Sequence, residues 1–409
     1  MLQKSISSKI GIFIFLLIPL FCYQFFQYRA LPLVFLKMSG FLSSFALFIL
    51  TLPQFFGTSA KRGSIQYYVK IIITLTLLSF LMALVYWNQP IPNTFRSSIA
   101  YFNLSFYFLL LKYKIKKDIL LQLIYVYTIV VILLWFYAIG QAPHIVFGHL
   151  GEDDFTELSN NRGGYRIRIL GTTISIICYF YFITKAFLYR KKWMYCIASL
   201  LFLFNCTDLT RSNIASIAIA TIVLLWLLYR NKISYMVTVI SVGFAASFIL
   251  FYFFGENTEL LIDLTKSQFE TGSEDSGFYR LKEYSFFFTE FNKSVFTYIF
   301  GNGSANHSAL QVYLDYQKAK GYWLSDVGYA NIFCTIGLVG LLTYIFMIVK
   351  ALRMETSKEA LFAKAYIVYA TLSTFTIGTL LDSIPLAICL YWIYVDSKTL
   401  RLTSKMHTI

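Results

Sequence analysis

Several arginine residues lie in the polar segments of this mostly apolar chain, and three of them lie close together. Arg162, Arg166 and Arg168 lie close together just before an apolar run, with Gly163 and Gly164 between them. A guanidinium group binds phosphate oxygens through two parallel hydrogen bonds, and glycine lets the backbone approach a ligand closely. The spacing therefore predicts a site for a diphosphate. The alternative is that these side chains anchor the chain at a membrane interface.

Two further arginines lie in separate polar segments. Arg211 occupies a short turn between two apolar runs, and Arg280 begins a segment with helical periodicity. We expect both to join the same anion-binding set, because arginine holds phosphate groups in a geometry that lysine does not reproduce. For Arg211 the alternative is an ion pair with Asp208, three residues earlier.

Two residues are suited to carry a proton. Asp326 precedes an apolar run that contains Gly337 and Gly340, and His307 lies in the polar segment before it. A carboxylate or an imidazole there could accept the proton of a sugar hydroxyl as a general base. Asp326 could instead cap the helix that follows it, and His307 could be an ordinary solvated residue. The two glycines are more typical of close helix packing than of catalysis.

Aromatic residues accompany these polar groups. Tyr279, Tyr284, Tyr322 and Trp323 lie in or next to the same polar segment and could contact a ligand there. For Trp323 a place in the aromatic belt at the membrane surface is the favoured alternative.

Signatures of soluble enzymes and of metal sites are missing from the sequence. No GxxxxGK[ST], HExxH or GxSxG motif is present. The four histidines show no metal-ligand spacing with a carboxylate, so we expect neither a metal nor a cofactor. All six cysteines fall in apolar runs, where cysteine is usually a small packing residue, so no disulfide is expected.

The composition is that of a membrane protein. Of the 409 residues, 58% are hydrophobic and only 13% are charged. Soluble domains carry about 25% charged residues, and a soluble fold this apolar could not cover its surface. Composition therefore excludes a soluble enzyme, a disordered protein and a secreted disulfide scaffold. It predicts an all-α polytopic protein, because a continuous apolar segment satisfies its backbone in lipid only as a helix.

Twelve apolar runs are candidate transmembrane helices. The first is interpreted as a retained span, because no small-residue cleavage site follows it. The runs cover 10–27, 31–56, 69–87, 97–111, 119–140, 169–189, 193–209, 213–229, 233–254, 323–349, 361–381 and 384–396.

The basic residues predict the orientation. With the N-terminus in the cytoplasm, 22 of the 35 lysine and arginine residues fall on the cytoplasmic side, with only four acids. Short basic loops remain in the cytoplasm during membrane insertion. Both termini are therefore predicted to be cytoplasmic, and the net charge of +15 reflects topology, not binding to nucleic acid.

Two long loops are predicted outside, at about 141–168 and 255–322. We expect residues 1–409 to form one integral membrane domain, with 255–322 as a large extracytoplasmic helical loop between the ninth and tenth spans. Apolar residues recur there at steps of three and four, which predicts an amphipathic helix over 278–295 on the outer membrane surface. The predicted apolar stripe comprises Leu281, Tyr284, Phe288, Phe291 and Val295.

This combination resembles the O-antigen polymerase and O-antigen ligase family of bacterial surface polysaccharide synthesis. The span count with a large late loop is one landmark, and the turn around Arg211 is another. Arg280 followed by an aromatic residue and Gly301-x-Gly303 is a third. The last is a polar residue shortly before a GxxG, here Asp326 before Gly337–Gly340. Ligases of the family carry histidine where this chain has Asp326, which favours a polymerase.

The resemblance implies a C-type, inverting, metal-independent glycosyltransferase of the bacterial plasma membrane. Such an enzyme joins undecaprenyl-diphosphate-linked oligosaccharide repeat units into O-antigen, capsule or exopolysaccharide on the outer face. It also implies a chain-length regulator and a flippase as partners, besides the lipid bilayer itself. The expected catalytic residues are Arg211, Arg280, Asp326 and His307, and the expected substrate-binding residues are Arg162, Arg166, Arg168, Tyr279, Tyr284 and Tyr322.

Two alternatives stay open. A ligase would use the same chemistry but transfer the glycan to another acceptor. A flippase for lipid-linked oligosaccharides belongs to a different class, and the two long outside loops argue against it because flippases usually have short loops.

Overall fold

A computed structural model describes residues 13, 16–57, 60–141, 144–148, 169–206, 211–229, 277–306, 321–376 and 383–406. These ranges are mostly helical (81%) and contain no β-strand, which agrees with the predicted all-α class. The helices are α1 (Leu33–Gly57), α2 (Ile65–Trp87), α3 (Ile91–Ser97), α4 (Ile99–Asn103), α5 (Phe106–Tyr113), α6 (Lys117–Gly140), α7 (Thr173–Tyr189), α8 (Lys192–Cys206), α9 (Arg211–Tyr229), α10 (Gly277–Thr289), α11 (Val295–Phe300), α12 (Gly328–Arg353), α13 (Leu361–Ser373) and α14 (Ser383–Met406).

Five of the described helices are long and apolar enough to cross a membrane. They are α1, α2, α6, α12 and the Ser212–Tyr229 part of α9. At 1.5 Å per residue, a helix needs about 20 residues to cross about 30 Å of hydrocarbon. Helices α7 and α8 are apolar but shorter, with 17 and 15 residues. The count of twelve spans stays a prediction, and the run at 233–254 lies outside the described residues.

One expected span takes a different form. The run 97–111 was expected as a single helix, but this part of the chain forms the three short helices α3, α4 and α5. Buried polar residues stand at the breaks, Ser98 between α3 and α4 and Ser105 before α5. Asn103, the last residue of α4, accepts a hydrogen bond from Ser44 on α1 at 2.6 Å. A polar side chain that bonds across the bundle, as that of Asn103 does, competes with a continuous helix, whereas the buried hydroxyls of Ser98 and Ser105 have no hydrogen-bond partner among the described residues.

The predicted amphipathic helix is divided into two helices. Helix α10 ends at Thr289, and α11 starts anew after Ser294, whose side chain and that of Thr297 form a capping box. In the predicted apolar stripe, Phe291 is buried and Tyr284 and Phe288 are half-buried, whereas Leu281 and Val295 are 64% and 72% exposed within the protein. Glu283, Phe286 and Phe287 are buried as well, so the buried face coincides only in part with the predicted stripe.

Helix α12 forms the centre of the described bundle. It packs against α2, α10, α11 and α13. Helix α13 in turn contacts α7, α9 and α14. The part of the 255–322 loop that contains α10 and α11 therefore packs against α12, and its expected position at the outer membrane surface stays a prediction.

Acidic and basic side chains pair near the C-terminal end of α12. Asp396 on α14 accepts hydrogen bonds from Lys117 at 2.5 Å and from the backbone N–H of Ser357 at 2.6 Å. Glu359 pairs with Lys185 at 2.8 Å. The charge pattern assigns all these residues to one side of the membrane, and the fold brings them together at one end of the bundle. Which side that end faces stays a prediction.

Candidate functional site

A break inside α12 positions the polar end of the bundle. Gly337 has φ 75° and ψ −179°, which is not helical. Such a break deprives the carbonyls of the preceding turn of their usual partners. The backbone N–H groups of Asn302 and Gly303 donate to the carbonyls of Cys334 and Thr335 at 2.7 and 3.0 Å. The turn after α11 thus replaces the missing hydrogen bonds of α12.

Glycine is required on both sides of this contact. A Cβ atom on Gly337 would lie 2.1 Å from the carbonyl oxygen of Ile299, and one on Gly301 would lie 2.2 Å from that of Thr335. Both glycines also have positive φ angles, which L-residues with side chains rarely adopt. The prediction that Gly337 serves close packing holds, although its partner is the Gly301 turn rather than a parallel helix.

Side chains tie the same turn to α2. Asn302 donates to Asn292 at 2.8 Å and accepts from the indole N–H of Trp87 at 2.9 Å. The side chain of Gln89 donates to the carbonyl of Ser304 at 2.8 Å and accepts from the backbone N–H of Asn306 at 3.0 Å. The segment 301–306 is therefore held on two sides, by α12 and by the end of α2.

Helix α10 lies across the first turns of α12. The ring of Phe288 packs on that of Phe333, with 4.7 Å between their centroids. The hydroxyl of Tyr284 donates to the carbonyl of Phe375 at 2.9 Å, just past the end of α13. Burial raises the pKa of Tyr284 to about 12, so the hydroxyl remains a neutral donor. Tyr284 thus fastens α10 to α13 in this structure.

A buried carboxylate lies next to the turn that opens α12. Glu283 is 0% exposed, and its Oε1 accepts the backbone N–H of Trp323 at 2.9 Å. Its Oε2 is buried without a hydrogen-bond partner. Burial raises the pKa of Glu283; the nearby Asp326 charge raises it further, whereas the Trp323 N–H and Arg280 oppose the shift. The charges of Arg280 and Asp326 therefore both act on the carboxyl group of Glu283.

The turn at 321–326 presents two groups to solvent. Trp323 is 43% exposed, and Asp326 is exposed at the end of a short 3-10 turn, Leu324–Asp326. Tyr322 is half-buried, with its ring 5.1 Å from that of Phe286. We name the four residues Arg280, Glu283, Trp323 and Asp326 the Trp323 cluster.

The helix-cap interpretation of Asp326 is wrong. The N-cap of α12 is Val327, which makes no side-chain cap hydrogen bond. Asp326 instead accepts from the hydroxyl of Ser325 at 3.1 Å. An exposed carboxylate that leaves the helix start uncapped is free to meet a ligand.

The structure brings together only part of the predicted site. Arg280 and Asp326 lie in the Trp323 cluster, and Tyr284 and Tyr322 pack behind it. Arg211 is the first residue of α9, and Tyr279 lies in the first turn of α10. The remaining predicted site residues, Arg162, Arg166, Arg168 and His307, lie outside the described residues, as does Asp208.

Glu283 is the residue that sequence analysis missed. Its signal was present, because it stands three positions after Arg280 and therefore shares a helix face with it. In the ranges described, no group of three or more His, Cys, Asp or Glu residues is arranged to hold a metal ion.

No family model matches the chain, and no curated protein matches it.

Proposed function

We propose that this chain is a membrane glycosyltransferase that polymerises oligosaccharide repeat units carried on undecaprenyl diphosphate. The observation that carries the proposal is the Trp323 cluster, where an exposed carboxylate, an arginine and an exposed indole lie together beside a broken apolar helix. The carboxylate can accept the proton of an acceptor hydroxyl, and the arginine and the indole can bind a sugar. The resemblance of the sequence to polysaccharide polymerases supports the same proposal.

The reaction assigns a role to each group. The acceptor hydroxyl attacks the anomeric carbon of the donor, and the bond from that carbon to the diphosphate oxygen breaks. Asp326 receives the hydroxyl proton as general base. The lipid diphosphate leaves with the bonding electron pair, and arginines stabilise the charge that develops on it. Attack from the face opposite the leaving group inverts the anomeric configuration.

The direct test uses purified protein and synthetic lipid-diphosphate repeat units. We expect products of two or more repeat units in a metal-free buffer. In cells, deletion of the gene should leave single repeat units exposed on the outer face. Repeat units trapped on the inner face would indicate a flippase, and full-length glycan on the carrier lipid without transfer to its final acceptor would indicate a ligase.

Arginine substitutions test the proposed site. Arg211→Ala and Arg280→Ala should each abolish long glycan chains at unchanged protein abundance, and Arg211→Lys should also fail if Arg211 holds the diphosphate through two parallel hydrogen bonds. Glu290→Gln serves as a control, because Glu290 is an exposed acid on the chain just after α10. Normal glycan ladders from both arginine variants would remove these residues from the site.

The topology has its own test. Reporter fusions within 255–322 should be active outside the cytoplasm. A cytoplasmic position would put the cluster in the wrong compartment for a lipid-linked substrate on the outer face.

A further inference from the structure

The charge balance of the Trp323 cluster does not fit a diphosphate. Its charged members are one arginine, Arg280, and two carboxylates, Glu283 and Asp326. Arg280 stands three residues before Glu283 on α10, and Glu283 holds the backbone of Trp323 in the turn that carries Asp326, so the three charged groups lie around one turn. Their formal charge is −1 with both carboxylates ionised and 0 with Glu283 protonated, so the cluster is not positive in either state. Bringing a multiply charged anion to two carboxylates is opposed by like-charge repulsion, which a single arginine only partly offsets.

The same groups suit a polyhydroxylated, uncharged ligand. Carboxylates accept hydrogen bonds from neutral hydroxyls, and these charge-assisted bonds are stronger than neutral ones. Arg280 can donate to hydroxyl or ring oxygens. The exposed ring of Trp323 offers an apolar face next to these polar groups, and a sugar ring also has one apolar face.

Glu283 holds in place the turn that would meet the ligand. Through Oε1 it fixes the backbone of Trp323, and its Oε2 has no hydrogen-bond partner among the described residues although it is buried. Because Glu283 is 0% exposed, it acts on a ligand through Trp323 and not by direct contact. A glutamine would make the same hydrogen bond to the Trp323 N–H without the cost of burying a charge, so it can replace Glu283 in this role.

Given the proposed glycosyltransferase function, we propose that the Trp323 cluster is the subsite for the acceptor sugar, and that the diphosphate is bound elsewhere. Trp323, Asp326 and Arg280 contact the acceptor, and Glu283 positions Trp323. The leaving diphosphate is then left to arginines outside this cluster.

The experiment compares two probes on detergent-purified, full-length protein. One is a mixture of short, lipid-free oligosaccharides released by mild acid from the surface glycan of the source cell, followed by saturation-transfer NMR. The other is inorganic pyrophosphate, followed by broadening of its phosphorus signal. We expect both to bind the wild-type protein. Trp323→Ala and Asp326→Asn should each reduce the saccharide signal at least fivefold and leave the pyrophosphate broadening within twofold.

Matched controls separate the subsite from general surface effects. Trp193→Ala removes another exposed tryptophan, 51% exposed on α8, and should leave both signals unchanged. Trp323→Phe retains an aromatic face and should keep most of the saccharide signal. Glu283→Gln keeps the hydrogen bond to Trp323 and should bind saccharide within about twofold, whereas Glu283→Ala should lose at least fivefold.

Three results would overturn the inference. They are no saccharide binding by the wild-type protein, saccharide binding that survives both Trp323→Ala and Asp326→Asn, and loss of pyrophosphate binding in Arg280→Ala. The proposed function is judged separately, by the glycan of the deletion strain. Saccharide binding at the cluster combined with a normal glycan ladder would keep the sugar subsite and reject the polymerase.

Discussion

The charged side chains at the two ends of α12 differ in how completely they are hydrogen-bonded. This 26-residue helix is about 39 Å long, so its ends are well separated. At its C-terminal end, Asp396 accepts three hydrogen bonds, one from Lys117 and two from Ser357. At its N-terminal end, Glu283 accepts a single hydrogen bond and Arg280 forms no salt bridge with either carboxylate of the Trp323 cluster.

This difference distinguishes charged residues that stabilise the fold from charged residues that are available to bind a ligand. A buried polar network rigidifies a fold when all its members are satisfied, and is costly when they are not. The Asp396 network joins α6, α14 and the 357–360 turn, and its carboxylate has no unused oxygen. The Trp323 cluster retains an unsatisfied carboxylate and an exposed indole. Perturbed, incompletely satisfied groups are typical of binding and catalytic sites.

The largest expected effect of a single substitution is on the reaction. Asp326→Asn removes the proposed base, and general-base catalysis contributes about 100- to 10,000-fold. We therefore expect the initial rate of polymerisation by purified protein to fall about 1,000-fold, with little change in the melting temperature, because Asp326 is exposed. Glu290→Gln should retain the full rate. A loss of less than tenfold for Asp326→Asn would transfer the base role to another group.

The largest expected effect on stability comes from disrupting the backbone contact between Gly337 and the turn after α11. Gly337→Ala forces a Cβ to within 2.1 Å of a backbone oxygen at φ 75°, and strain together with repacking should destabilise the fold by about 3 kcal/mol. Thermal unfolding in detergent, read by tryptophan fluorescence, measures this. Gly140→Ala is the matched control, since its Cβ would meet no atom within 4 Å. Similar melting temperatures for the two variants would contradict the proposed backbone contact.

At the opposite end, Asp396→Ala should lower stability by about 2 kcal/mol, because it leaves the Lys117 ammonium and two Ser357 donors without their acceptor. The rate per folded molecule should stay unchanged, in contrast to Asp326→Asn. Lys398→Ala, an exposed change on the same helix, should stay within about 0.5 kcal/mol of wild type. A loss of rate without a loss of stability in Asp396→Ala would remove the contrast between the two ends.

The sequence predicts the long helices because their apolar runs are continuous. α1, α2 and α6 begin and end within a few residues of the predicted spans. Composition cannot locate breaks that depend on a partner, however. The bend at Gly337 is possible because the turn after α11, more than 30 residues earlier, supplies the two missing donors.

The site is harder to predict because α10 is rich in aromatics on several faces. Leu281, Tyr284 and Phe288 satisfy helical spacing as well as Glu283, Phe286 and Phe287 do. Periodicity therefore offers two overlapping stripes, and residues of both become buried or half-buried in the fold. Residue type alone singles out Arg280 and Asp326 as site candidates, whereas the hydrogen bond that brings Glu283 to the Trp323 turn depends on the fold.

The smallest predicted effect is on the pH dependence of stability, to which Glu283 and Glu359 should contribute with opposite signs. The pKa of Glu283 is raised, first by burial, so its folded form favours the protonated acid. Its contribution to stability is present at low pH and is lost as the pH rises through the raised value. The pKa of Glu359 is lowered, first by its hydrogen bond with Lys185, so its contribution is present at neutral pH and is lost as the pH falls through the lowered value.

Glu283→Gln should therefore raise the melting temperature at pH 7.5, and Glu359→Gln should lower the free energy of unfolding by a few tenths of a kcal/mol, since that pair is partly exposed. The Glu283 difference should shrink as the pH falls toward about 4, the ordinary range of a glutamate pKa, whereas the Glu359 difference should persist to lower pH because its pKa is lowered. A lower melting temperature for Glu283→Gln at pH 7.5 would mean that its carboxylate is satisfied after all. The Trp323 end would then be a second structural network like that of Asp396, and the argument for a sugar at this end would lose its physical basis.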